Sequence, residues 1–85
     1  MHKTERTEKM STAFVLINCE AGSEEDILEK LKSIIEVKIT QRVTGPYDIV
    51  AKIDLPDEKD LRDVIAWKIR IMKNVMSTLT LKVKN

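Results

Sequence analysis

Asp48, set just beyond the bend Gly45-Pro46-Tyr47, and the hydroxyls of Ser77, Thr78 and Thr80 near the C-terminal end have the types and spacing to hold a small polar ligand. A carboxylate at a strand start, beside a glycine whose missing side chain admits close approach, can accept hydrogen bonds from an ammonium group. Hydroxyls alternating along a strand can donate to a small carboxylate. Thr44 and Tyr47 flank the same bend. Each residue also has a purely structural reading. An aspartate after a bend accepts backbone N–H groups and stabilises the turn, and threonine forms strands well whether or not it binds anything.

Catalytic groups are scarce. The sole histidine, His2, falls in a charged N-terminal segment, 1–11, which is expected to be disordered and so cannot hold a general base in fixed geometry. Cys19, the sole cysteine, ends the first apolar run with no histidine partner in the folded part, so it reads as a structural thiol. No Cys-x-x-Cys or His-x-x-x-His spacing occurs. Neither a metal site nor a cofactor is therefore expected, and a binding protein is favoured over an enzyme.

The elements that must position these residues are legible from periodicity. Thr12 to Cys19 contains Ala13-Phe14-Val15-Leu16-Ile17, apolar at odd and even positions alike, which predicts a strand buried on both faces. Ser23 is a natural N-cap, followed by Glu24, Glu25 and Asp26 at the positive end of a helix dipole, and Ile27, Leu28, Leu31, Ile34 and Ile35 form an apolar stripe. From Val37 to Val43 the period becomes two, predicting Val37, Ile39 and Val43 on one face and Lys38, Thr40 and Arg42 on the other. A short connection through Gly45-Pro46 leads to a strand with Ile49, Ala51 and Ile53 on one side.

Pro56 and Asp57 start a second helix with a stripe of Leu61, Val64, Ile65, Ile69 and Met72, and Asn74 can take the left-handed conformation that ends it. Its bases Arg62, Lys68, Arg70 and Lys73 follow acidic Glu58, Asp60 and Asp63, a pattern expected of a solvated face with pairs at helical spacing. Trp67 and Ile71 extend the stripe sideways, as a core edge or as an interface ridge. The last strand, Val75 to Val83, separates Leu79, Leu81 and Val83 from Met76, Thr78 and Thr80.

The order βαββαβ predicts an α+β, ferredoxin-like fold: a four-stranded antiparallel sheet with both helices on one face. The other face would expose Phe14, Leu16, Val50 and Met76, and Val43 beside them. Such an apolar patch is best covered by a second sheet, as in a dimeric α/β barrel.

Size and charge agree with this reading. At 85 residues, 42% hydrophobic and 34% charged, residues 12–85 make one small domain, near the size where a core alone gives modest stability and self-association helps. Fifteen Lys and Arg against fourteen Asp and Glu leave a net charge of +1, so no direct binding to DNA is expected. No apolar run approaches the roughly 20 residues of a membrane span, and 1–11 is not a secretory signal. A cytoplasmic location is expected.

On these residues the chain resembles the effector-binding RAM domain of the Lrp/AsnC, or feast/famine, transcriptional regulators. The resemblance runs from Thr12 to Val83. It is carried by Val43-Thr44-Gly45-x-Tyr47-Asp48, by Val75-x-x-Thr78-x-Thr80, and by Trp67-Lys68-Ile69-Arg70, which is similar to the corresponding helix of stand-alone members. It implies dimers that assemble to an octamer or ring, with an amino acid bound between dimers. Thr44, Gly45, Tyr47 and Asp48 would line the site from one subunit, Asp48 near the amino group, and Ser77, Thr78 and Thr80 would contribute from the last strand.

Two departures stand out: Asn74 replaces the family's usual glycine, and eleven tail residues cannot supply a helix-turn-helix. The implied protein is a stand-alone amino-acid sensor acting through assembly or co-assembly with a full-length regulator. The alternatives are a small cofactor-independent enzyme of the dimeric α/β-barrel class, which would enclose a pocket within each subunit, and a ligand-free assembly scaffold.

Overall fold

The computed structural model describes residues 10–84; most of the expected tail, with His2, lies outside the described residues. Strand β1 (Ser11–Cys19) is followed by helix α1 (Glu24–Lys32) and strands β2 (Val37–Arg42) and β3 (Ile49–Leu55). Helix α2 (Glu58–Val64) then runs directly into a π-helical turn (Ile65–Ile69), and β4 (Val75–Lys82) completes the chain. The sheet order is β2-β3-β1-β4, with every neighbouring pair antiparallel. This is the ferredoxin-like arrangement, and β1 opens one residue earlier than its apolar pattern suggests, with Ser11 opposite Leu55.

Parity along β1 divides the molecule. Ala13, Val15, Ile17 and Cys19 are buried with Ile49, Ala51 and Ile53 of β3 against Ile27 and Leu31 of α1 and Leu61, Val64, Ile65 and Ile69 of the second helical segment. Burying each of the larger aliphatic side chains contributes about 1.5–3 kcal/mol. The even residues of β1 and β3 occupy the opposite face, which no helix covers. Among the described residues no helix is long and apolar enough to cross a membrane.

The helix ends follow local chemistry with one reversal. Asp57 caps α2 by accepting from the Lys59 N–H at 2.9 Å, and Asn74 adopts the positive φ of 74° that turns the chain into β4. Ser23 stands at the N-cap of α1 without capping it: its hydroxyl donates back to the Glu20 carbonyl at 2.6 Å. Helix α1 stops at Lys32, so Ile35 leaves the expected apolar stripe and is 83% exposed.

The expected faces of β2 are corrected by a bulge. Val37 pairs with Ile53 but Ile39 pairs with Lys52, so Lys38 is an extra residue that inverts the alternation. Val37 stays against the core with Thr40 opposite Ala51, while Ile39 moves to the uncovered face. A period-two reading cannot see an inserted residue, because the bulge is defined only by the partner strand.

The basic face of the second helical segment also departs from expectation. Lys68 reaches Glu36, in the α1–β2 connection, at 3.2 Å instead of pairing along its own helix. The Glu36 backbone N–H first, and the Lys68 ammonium second, hold the Glu36 carboxyl below the usual carboxylate range. A group favoured in its charged form by folding contributes stability above its unfolded pKa, and this is lost as pH falls through the lowered folded value. Glu36→Gln should therefore lower stability at pH 7 by about 1 kcal/mol or less, with the deficit vanishing as pH falls below the lowered value. Thermal melts of both proteins across that range check this.

Candidate functional site

The bend at 43–48 and the start of β4 meet at one end of the sheet, on either side of β1. The regular β1–β3 ladder ends at Ile17 opposite Ile49. Beyond it the Asp48 N–H donates to the Ile17 carbonyl and the Val43 N–H to the Asp48 carbonyl, both at 2.9 Å. The Asp48 carboxylate then accepts from the Cys19 N–H through Oδ2 at 2.9 Å. Asp48 thus supplies an acceptor to β1 where strand pairing has run out, as its turn-stabilising reading requires. Among the described residues Oδ1 accepts no backbone N–H.

Gly45 sits at the apex with φ of 126°, in the region open to glycine. Thr44 and Gly45 are exposed and Tyr47 is half-buried, so the bend presents its polar groups outward around Asp48.

Across β1, the hydroxyls of β4 divide between two faces. Thr78 and Thr80 pair with Ile17 and Val15, which puts them on the helix side at the open edge of the sheet. Ser77 pairs with Asn18 on the uncovered side, and its Oγ accepts from Asn18 Nδ2 at 3.3 Å. The Ser77 hydroxyl is thus engaged with Asn18 on the uncovered side, although the residue also borders the groove that Thr78 and Thr80 line. Asp48 and Thr78 both flank Ile17, two strand spacings apart, or about 9–10 Å. That spacing is between backbones; the Asp48 carboxylate itself reaches back to β1 at the Cys19 N–H. Within one protomer the two sets stand on opposite sides of β1, and Asp48 does not line the groove of Thr78 and Thr80.

Thr78 and Thr80 line a groove with Arg70, Val75, Met76 and Ser77. It continues past Thr80 between β4 and the second helical segment, where Arg62, Ala66 and Lys82 join the lining. Arg70 was expected to belong to a solvated, internally paired helix face; nothing in the residue pattern marks it as a groove residue. The π turn accounts for the difference. The Arg70 N–H donates to the Ile65 carbonyl at 2.9 Å, an i→i+5 bond. The wider turn winds Arg70 back into line with Arg62 and Ala66.

The uncovered face holds Phe14 and Leu16 of β1 and Val50 of β3, as expected. Leu79 and Leu81, which pair with Leu16 and Phe14, and Ile39 also lie there and are 43%, 49% and 52% exposed. The pairing register was needed to find them. Met76, expected on this face, instead falls unpaired at the β1–β4 irregularity between Asn18 and Cys19, where it lines the groove of Thr78 and Thr80 and is 66% exposed. Polar pairs frame the apolar strip, Asn18 with Ser77 at one end and Thr12 with Asp54, at 2.6 Å, at the other. On the helical side, Trp67 and Ile71 are 70% and 66% exposed, which takes both out of the core.

Cys19 is a buried free thiol. Burial pushes its thiol pKa up, the Ser23 hydroxyl offsets this in part, and the charges of Asp48 and Glu24 add to the rise. Among the described residues no group of three potential metal ligands comes together.

The Lrp/AsnC ligand binding domain model matches residues 12–84, and the chain belongs to that family. The crystal structure of FFRP-DM1 is similar at a TM-score of 0.84 and 38% identity, over 87% of this chain and 99% of that one. Escherichia coli AsnC is similar at a TM-score of 0.86 and 27% identity, over 100% of this chain but 58% of AsnC. A curated relative, the homocitrate synthase of Sulfurisphaera tokodaii, is 33% identical over 69 residues; the match covers 80% of this chain and spans 15% of the synthase. This chain therefore has the fold and family of a regulator's effector-binding module.

The Asp48 geometry predicts a graded response to substitution. Asp48→Ala leaves the Cys19 N–H without its acceptor and should cost about 1–3 kcal/mol. Asp48→Asn keeps a side-chain oxygen and should recover at least half of that loss. Urea unfolding of the three proteins measures it, with hydrogen exchange at the Cys19 amide reporting the local bond.

Proposed function

We propose that the chain is a binding module, not an enzyme, that takes an amino acid between protomers and passes its occupancy on through assembly. The observation that carries this reading is the separation of Asp48 from Thr78 and Thr80 across β1 within one protomer. In this reading a ligand using both sets lies where the bend of one copy faces the β4 edge of another. Asp48 Oδ1, with the Thr44–Tyr47 bend around it, then receives the ammonium, and the Thr78 and Thr80 hydroxyls anchor the α-carboxylate. The buried, weakly acidic Cys19 thiol also favours binding over catalysis.

Assembly is proposed to use both exposed apolar regions. The strip of Phe14, Leu16, Val50, Leu79 and Leu81 suits face-to-face dimerisation, and the ridge of Trp67 and Ile71 suits contact between dimers, as in an octamer or ring. Lacking any recognition helix among its described elements, the chain would act on DNA through a full-length Lrp/AsnC partner. The homocitrate synthase relative supports a second reading, in which the same module reports a small molecule to a metabolic enzyme. Co-purification with a regulator or with an enzyme separates the two.

Light scattering at micromolar concentration should give a mass above that of a dimer. Trp67→Asp should shift it to smaller species by placing a charge in an apolar contact, and a monodisperse wild-type monomer would refute the assembly reading. In a thermal-shift screen of the twenty amino acids, a true effector at 100 times its dissociation constant should stabilise by about 2.7 kcal/mol. Its amide or N-acetyl derivative should bind at least about tenfold more weakly. An effector that tolerates both blocking groups would contradict the proposed contacts.

A further inference from the structure

We infer that the effector carries a second carboxylate, held by Arg70, so that the module selects acidic amino acids over their neutral amides. This rests on the reading that the β4 groove closes against a second protomer around an amino acid. Arg70, Val75, Met76, Ser77, Thr78 and Thr80 line the groove and bring no carboxylate to it. Among the described residues neither Arg70 nor Arg62, farther along, has an acidic group within 4 Å, whereas Lys59, Lys68 and Lys82 pair with Asp63, Glu36 and Glu58; of the two only Arg70 lines the groove beside Thr78.

The nearest acidic lining is Asp63, farther along the groove beside Arg62, and it faces Lys59 at 3.9 Å. The π turn, closed by the Arg70 N–H on the Ile65 carbonyl, brings this guanidinium onto the side of the helix that faces Thr80. Such wide turns are uncommon and recur at functional positions.

The chemistry follows from counting charges in the closed site. A neutral amino acid brings one ammonium, taken by Asp48, and one carboxylate, taken by the Thr78 and Thr80 hydroxyls. Closure would then withdraw Arg70 from water without a counter-charge, which opposes binding. A side-chain carboxylate removes that penalty and forms a charge-assisted, bidentate pair with the planar guanidinium. The charge of Arg70 thus becomes a specificity device, rejecting the isosteric amide by the penalty it leaves behind.

Calorimetry on the purified, assembled chain at one ionic strength tests this with glutamate against glutamine and aspartate against asparagine. At least one acid should bind about tenfold or more tightly than its amide. Arg70→Gln should bring that ratio to within about threefold of unity, and Arg70→Lys should restore part of the preference. Arg70→Glu should shift selectivity toward lysine or ornithine.

Amides that bind as tightly as the acids would overturn this inference and leave the amino-acid sensor standing. An acid preference that survives Arg70→Gln, with the variant's melting temperature unchanged, would remove Arg70 from the selection. No binding by any amino acid would overturn both the inference and the sensor reading.

Discussion

Strand β1 lies between β3 and β4 and is apolar on both of its faces, and the remaining architecture depends on how those two faces are covered. Its odd residues form the floor of the core, where helices pack. Its even residues form the centre of a face that no helix reaches. Because βαββαβ connections send both helices to one side of an antiparallel sheet, one chain cannot cover both faces. The helical side supplies the stability of the protomer. The other side supplies a reason to associate, framed by polar pairs that mark where an apolar contact would end.

The same strand organises the candidate site. The bend before β3 and the start of β4 both reach the C-terminal end of β1, one on each side, so candidate ligand-binding groups distant in sequence are brought to one end of the sheet. They are not brought into one pocket. Asp48 is held by the Cys19 N–H, which orients its carboxylate while spending one of its oxygens. The structural role of this aspartate is compatible with the proposed one: a carboxylate fixed by a backbone bond loses less freedom when a second partner arrives. In the proposed assembly the protomer is half of a site, which couples occupancy to association.

The distribution of charge reinforces that view. A helix whose acids and bases alternate reads as self-neutralised, yet its lysines find partners outside their helix or only weakly within it, and Arg70 has no carboxylate among the described residues. The π turn matters because one extra residue per turn changes which side chains share a line along the helix. It keeps Ile65 and Ile69 in the core while aligning Arg70 with the β4 groove. A π turn costs backbone regularity, and its position beside the threonines gives that cost a function in the inferred specificity.

By itself the amino-acid order determined the elements, their sequence and their buried sides wherever the signal is local. The two-sided apolar run of β1, the stripes of α1 and α2, Asp57 as a cap and Asn74 as a left-handed stop all act within a few residues, so periodicity and residue chemistry express them directly. Order also marked Gly45 to Asp48 as a bend, with Asp48 placed to accept a backbone N–H.

Tertiary structure alone decided what depends on a partner strand or a neighbouring element: the bulge at Lys38 that turns Ile39 outward, and the placement of Leu79 and Leu81 opposite Leu16 and Phe14. The Cys19 bond to Asp48, the reach of Lys68 to Glu36 and the exposure of Arg70 to the groove belong there too. Strand register and charge pairing are settled between residues tens of positions apart, by which arrangement satisfies the backbone and buries apolar area together. No local pattern carries that information.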